Sequence, residues 1–260
     1  MGIEFTVTWP VLVFVCLLVG LAGFVDASAG GGGIIALPAY VFTGMPAHFA
    51  LGCNKFSSAC GTTLSVFKFW KAGAVSIRSS LLAAFSSFIG SGIAASIVLT
   101  IPDHVIKTML LIILPLAAIV IFLKKDMGED DLSHSLSRRS AILLSLLIGF
   151  LIGGYDGMFG PGAGTFAIFA FSSIMKYDIK TASGNAKIVN LASNYASLFT
   201  FALAGTVYYQ IAIPAAICNI IGNYIGAAHA LKKGGRFIRP MMIIVLIFLL
   251  AKIGLDLFKL

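Results

Sequence analysis

Apolar residues run along this chain in long unbroken stretches, at 5–25, 79–102, 108–123, 140–155 and 188–228, and most charges fall between them. About 20 apolar residues carry a helix across the hydrocarbon of a bilayer. The pattern therefore predicts membrane helices over 9–25, 50–70, 79–99, 103–122, 140–155, 182–203, 212–231 and 237–258. Two further pieces, 34–44 and 165–173, are too short to cross: at about 1.5 Å per residue the first reaches roughly half a bilayer. Each follows a glycine-rich break opened by a lone aspartate. In the first, Asp26 precedes Gly30, Gly31, Gly32 and Gly33; in the second, Asp156 precedes Gly160, Pro161, Gly162 and Gly164. Glycine and proline leave backbone polar groups without helical partners, which a bilayer tolerates only where protein or a wet cavity satisfies them. Both breaks are thus candidates for a site.

The breaks are also copies of one another. Asp156 follows Asp26 by 130 positions (156 − 26), and Lys187 follows Lys55, Gly205 follows Gly73 and Gly222 follows Gly90 by 132 (187 − 55). One unit occurs twice, as a transmembrane repeat at 5–123, a cytoplasmic connection at 124–139 and a second transmembrane repeat at 140–260. Lys68, Lys71 and Arg78 mark one loop of the first copy, whereas its counterpart at 205–210 is uncharged; one loop later the basic residues are in the second copy, at Lys232, Lys233, Arg236 and Arg239. Basic loops face the cytoplasm, so 68–78, 124–139, 176–187 and 232–239 are expected inside and both termini outside. Matching loops then lie on opposite sides. The expected fold is an all-α integral membrane protein of two inverted-topology repeats, each of four long transmembrane helices and one half-helix after a glycine-rich break. Secondary transporters recur in this form, with one repeat rocking against the other, and an anion channel can share it.

Composition narrows the classes. Of 260 residues, 59% are hydrophobic and 11% charged, too little polar surface for a soluble domain. The net charge of +8 sits mainly in short loops, as orientation in a membrane requires, and does not point to nucleic acid. Glu4 without a basic region before the first apolar stretch reads as a first membrane helix and not a cleaved signal. Cys16, Cys53, Cys60 and Cys218, and His48, His104, His134 and His229, lack metal-ligand spacing, so no metal or cofactor is expected. No nucleophile and base occupy matched positions, and an enzyme is not expected. Gly222 and Gly226 form a small-residue pair suited to helix packing.

A helix N-terminus offers free N–H groups and partial positive charge, so two that converge form an anion site; glycines at both breaks also suit tight packing. The helix after each break carries a polar stripe on one face, Lys55, Ser58, Thr62 and Ser65 in the first copy and Lys187, Asn190, Asn194 and Ser197 in the second. Such stripes face a bundle interior or a water path. Lys55 and Lys187 either snorkel to an interface or meet an anion. Asp26 and Asp156 either accept hydrogen bonds from the backbone of their own breaks or serve in proton coupling.

The stretch from Ala22 through Asp26 to Gly33, the Asn54-Lys55 pair, the run from Tyr155 through Asp156 to Gly162, and the run from Ala186 through Lys187 and Asn190 to Asn194 resemble the TauE/SafE family, over nearly the whole chain. The resemblance implies a plasma (inner) membrane transporter of sulfur-containing oxyanions, sulfite or organosulfonates, with export as the direction. An inside-negative potential favours anion exit by about 2.3 kcal/mol per charge per 100 mV. The expected substrate site comprises glycines 30–33, Gly160, Gly162 and Gly164, Asn54, Lys55, Ser58, Thr62, Lys187, Asn190 and Asn194. The partners are a small anion and the lipid bilayer, with a homodimer compatible but not required.

Overall fold

A computed structural model describes residues 8–41, 43–102, 105, 130–238, 240 and 244. The helices expected at 103–122 and 237–258 lie almost wholly outside these residues. Among the described residues the chain is all helical: α1 (Trp9–Ala29), α2 (Gly33–Val41), α3 (Ala47–Lys71), α4 (Ile77–Val98), α5 (Arg138–Met158), α6 (Ala163–Phe169), α7 (Ile179–Leu203) and α8 (Tyr209–Lys233). A single 3₁₀ turn at Ser133–Ser135 precedes α5, and α6 widens at its end into a π-turn, Ala170–Ile174. Local chemistry starts several helices: Pro10 suits the first turn of α1, Ser137 Oγ caps α5 by accepting from Ser140 N–H, and the Asp178 carboxylate caps α7 at Lys180 and Thr181 N–H.

The helices α1, α4, α5 and α8 are long and apolar enough to cross a membrane. Their outward faces display large apolar side chains, Val13, Phe14, Leu17 and Leu21 on α1 and Leu143, Leu147, Phe150 and Leu151 on α5. Contiguous apolar surface of this extent belongs against lipid. The helices α3 and α7 have 25 residues each, long enough to cross, yet are less apolar because their stripes point inward: Asn54, Lys55, Thr62, Lys187, Asn190 and Asn194 are all buried.

The 132 spacing survives in three dimensions. It superposes the ends of α3, Ala47 and Lys71, on those of α7, Ile179 and Leu203. Gly52 near the start of α3 abuts Thr206 just past the end of α7, Gly184 near the start of α7 abuts Ala74 just past the end of α3, and Thr63 and Tyr195 share a hydrogen bond of 3.0 Å at mid-length. The two equivalent helices therefore run antiparallel, and Thr63 and Tyr195, themselves 132 apart, mark the local axis relating them. Neighbouring contacts fix the other directions. Gly20 meets Gly222 and Phe24 meets Gly226, so α1 and α8 are parallel; Gly149 meets Ala83, Gly153 meets Ser87 and Gly157 meets Ser91, so α5 and α4 are parallel. Ser65 bonds Asn223 and Cys53 bonds Tyr208, aligning α3 with α8, while Ser87 bonds Val189 and Ser91 bonds Ser193, aligning α4 with α7.

Two three-helix groups result, α1, α3 and α8 in one and α5, α7 and α4 in the other, each parallel within itself and opposed to its counterpart. Each group mixes both halves of the sequence. The two strongest helix pairings, α4 with α5 and α1 with α8, join helices from different halves. Both are sealed by small residues that let backbones approach, which is how helices adhere where lipid tails remove the hydrophobic incentive. Apart from Lys55 and Lys187, every described lysine and arginine lies at one end of the molecule, where α3 and α8 finish and α4, α5 and α7 begin.

A Cβ on Gly153 would stand 2.5 Å from Ser87 Cα, whereas one on Gly92, also at a helix surface, would meet no heavy atom within 4 Å. We expect Gly153→Leu to destabilise the purified protein by about 1–3 kcal/mol through overpacking, and Gly92→Leu to leave it essentially unchanged. Thermal unfolding in detergent, followed by intrinsic fluorescence, checks the contrast.

Candidate functional site

The two glycine breaks meet. α1 ends at Gly30, whose N–H bonds Asp26 O at 2.7 Å and whose left-handed backbone (φ +79°) redirects the chain, and α2 then folds back along α1. A Cβ on Gly30 would collide with the backbone of Gly164, so both the conformation and the fit demand glycine here. Gly33 packs on Pro161 and Gly160, Thr165 Oγ1 donates to Ala29 O at 2.7 Å, and Tyr155 Oη donates to Pro161 O at 2.7 Å. The ends of α1 and α5 and the starts of α2 and α6 thus form one joint between the two helix groups.

Four charges meet at this joint, of which Lys55, Lys187 and Asp156 are buried and Asp26 is partly exposed. Lys55 Nζ lies 2.8 Å from Asp156 Oδ2, and Lys187 Nζ lies 3.0 Å from Asp26 Oδ2. The two lysines lie 132 positions apart and the two aspartates 130, and each pair crosses from one group to the other: α3 to α5, and α7 to α1. The lysines are 1% and 0% exposed, so neither snorkels to an interface; each reaches a carboxylate of the opposite group instead. The aspartates correspondingly take lysine as their main partner, and not the backbone of their own breaks. Lys55 also donates to Asn194 Oδ1 at 3.3 Å, Lys187 also donates to Asp26 O, and Ser193 Oγ donates to Asp156 Oδ2. With two lysines and two aspartates the cluster is formally neutral.

Beside the pairs lies a cavity of about 10 Å³, room for about one water. It is lined by Asp26, Gly30 and Gly33, by Asn54, Lys55 and Ser58 of α3, by Asp156 and Gly160, and by Asn190 and Asn194 of α7. Among the described residues, buried Asn54 has no partner for its Oδ1. Both breaks and both stripes therefore contribute to one polar space. The other nominated residues lie elsewhere. Gly32 packs on Ala22 and Asp26, Gly164 on Gly30, Gly162 provides the left-handed turn before α6, and Lys187 stands behind Asp26. Gly31 does not line the cavity, and neither does Thr62, whose buried Oγ1 has no partner among the described residues. Among the described residues no three His, Cys, Asp or Glu gather as a metal cluster.

Ser193 and Ser91, which touch or back Asp156, were not singled out by the sequence reading. A signal was present: Ser193 lies between Asn190 and Ser197 on nearly the same face of α7, and serines recur on α4 at 80, 87 and 91. The model of one protein family, described as sulfite exporter TauE/SafE, matches residues 15–253. The chain belongs to the TauE/SafE family. Its relatives include a protein of Sinorhizobium named probable membrane transporter protein ORF9, 31% identical over 94% of this chain and 93% of that one. A Haemophilus influenzae protein named probable membrane transporter protein is 33% identical over 91% of both chains. The Escherichia coli K12 protein named probable membrane transporter protein YfcA is 32% identical over 95% of this chain and 89% of its own. No solved structure matches the chain. This TauE/SafE protein is accordingly a multi-pass membrane transporter.

Removing one member of a buried pair strands the other charge, at about 3–5 kcal/mol. We expect Lys55→Met to lower unfolding stability by that order and the double variant Lys55→Met/Asp156→Asn to recover part of it. Thermal unfolding of the two purified variants beside the unaltered protein checks this.

Proposed function

We propose that the protein is a secondary transporter of small sulfur-containing oxyanions, sulfite or an organosulfonate, exporting them across the plasma (inner) membrane by alternating access. The observation that carries the reading is the neutral, lysine-containing cavity at the joint, lined by both breaks and both polar stripes. In it an oxyanion meets Lys55, the amides of Asn54, Asn190 and Asn194, the Ser58 hydroxyl, and N–H groups at the start of α2. Charged and amide donors of this kind suit the several acceptor oxygens of a sulfite or sulfonate. The description of the family as sulfite exporters, and the transporter names of its relatives, favour the same class.

In this reading the halves 5–123 and 140–260, joined by 124–139, are inverted repeats, supported by equivalent helices that run antiparallel. The basic end faces the cytoplasm, by the positive-inside rule, and both termini face out. Room for about one water is less than an oxyanion requires, so substrate entry requires the joint to widen. Rocking one sequence half against the other would tear α1 from α8 and α5 from α4. The units that move are instead the two three-helix groups, which meet along α3 and α7 and at the crossed pairs. Export is the direction the membrane potential favours for an uncompensated anion.

The test is flux in proteoliposomes of the purified full chain. Sulfite or a short alkylsulfonate is expected to leave loaded vesicles with saturation and counterflow, and Lys55→Met is expected to abolish both. Discrete unitary currents would instead make the protein a channel. Absence of flux for sulfite, thiosulfate and alkylsulfonates alike would remove the proposed substrate class.

A further inference from the structure

The two crossed pairs are equivalent in position but not in surroundings. Asp156 accepts a hydrogen bond from Ser193 Oγ, which lies 3.0 Å from Ser91 Oγ, which in turn lies 2.6 Å from Ser197 Oγ. All three hydroxyls are buried. A shift of 132 turns this serine chain into something chemically different: Ser193 corresponds to Gly61, Ser91 to Asn223 and Ser197 to Ser65. Gly61 offers no side chain, and its place is filled by Asn219, whose Oδ1 accepts from Asn223 Nδ2 at 2.8 Å; Ser65 donates to Asn223 Oδ1 at 2.7 Å. Asp26 therefore has no counterpart of the Ser193 hydroxyl.

The difference matters because a hydroxyl both donates and accepts and can rotate between the roles, whereas the oxygen of an amide only accepts and its nitrogen only donates. Beside an ionised Asp156, Ser193 donates. Beside a protonated Asp156, the chain can turn around, so that Asp156 donates to Ser193, Ser193 to Ser91 and Ser91 to Ser197. Either charge state of Asp156 is thus satisfied without moving a helix. The amide-filled side holds no such reversible chain for Asp26, which keeps Lys187.

The rest follows from charge balance, and rests on the anion-carrying role proposed above. The joint is neutral as built. An oxyanion that settles on Lys55 displaces Asp156 and would leave an unpaired carboxylate in a buried site, which is strongly unfavourable. A proton on Asp156 removes that charge. We propose that Asp156, and not Asp26, takes up a proton as the oxyanion takes its place on Lys55, so that anion and proton are carried together. The step forms one O–H bond, between a proton from the aqueous phase and a carboxylate oxygen of Asp156. Lys55 stays protonated and exchanges one anionic partner for another, and release on the far side reverses both events. The titratable groups facing Asp156 are Lys55 from α3 and its neighbour Tyr155, whose hydroxyl is committed to Pro161 O. Asp26 of α1 and Lys187 of α7 stand across the cavity, while α4 brings only serines. A monoanion with its proton is neutral, so the membrane potential no longer drives the cycle; the gradients of anion and proton set its direction.

The full chain in proteoliposomes tests this with methanesulfonate, a monoanion at every working pH, and with sulfite, under a potassium–valinomycin voltage clamp and with a trapped pH dye. Methanesulfonate flux is expected to be independent of voltage and to bring with it about one proton per ion, the count that keeps the joint neutral. In Asp156→Asn, whatever flux remains should lose its protons and become voltage-dependent. In Asp26→Asn, whatever flux remains should keep its protons. Voltage-dependent, proton-free flux of methanesulfonate through the unaltered protein overturns the coupling, while leaving the transporter reading intact and needing no variant to fold. Coupling that persists in Asp156→Asn, or is lost in Asp26→Asn instead, overturns the choice of residue. If neither anion crosses, this inference falls together with the proposed substrate class.

Discussion

Two lysines and two aspartates, all but Asp26 buried, govern this molecule. Removing such ions from water costs several kcal/mol each even in a relaxed protein, and a close partner of opposite sign offsets that cost only when the geometry is good. Here the partner always comes from the other three-helix group: Lys55 on α3 reaches Asp156 on α5, and Lys187 on α7 reaches Asp26 on α1. The two groups consequently cannot part at the joint without finding other partners for these charges. That constraint ties any parting of the two groups to the fate of these charges.

The surrounding architecture gives this constraint its shape. Small residues bind α1 to α8 and α5 to α4 across the two halves of the sequence, so each rigid group contains helices of both. The interface left between the groups is narrow, comprising α3 against α7 and the two breaks. It is also the polar part of the interior, because both stripes face it. Apolar surface points outward to lipid and both polar stripes point inward, the expected arrangement when the solvent is hydrocarbon.

The near-symmetry of the joint makes its departures informative. Equivalent positions hold Ser91 and Asn223, Ser193 and Gly61, Ser58 and Asn190, Thr62 and Asn194. Wherever a hydroxyl faces an amide across the pseudo-axis, hydrogen bonds that reverse freely are set against bonds whose direction is fixed. Two aspartates placed alike thereby acquire different chemical capacities.

Much of this was legible in the sequence. Apolar run length predicted the long helices, Gly30 and Gly160 located the breaks, and the 132 spacing matched α3 to α7 end for end, because hydrophobic periodicity and backbone conformation are local properties that residue type alone controls. Nine of the ten residues that line the cavity were already marked by their place in a break or stripe, and Asn54 by the family resemblance. What lay beyond the sequence was pairing. Nothing local to Lys55 says that its ammonium meets Asp156 and not an interface, that Thr62 turns away from the cavity while Ser58 enters it, or that Ser193 backs a carboxylate 37 positions earlier. Those outcomes depend on how α1 and α5 approach each other end to end and on which helices interlock, which is set by the close fit of Gly20 on Gly222 and Gly153 on Ser87, a property of surfaces that exist only once the helices have packed.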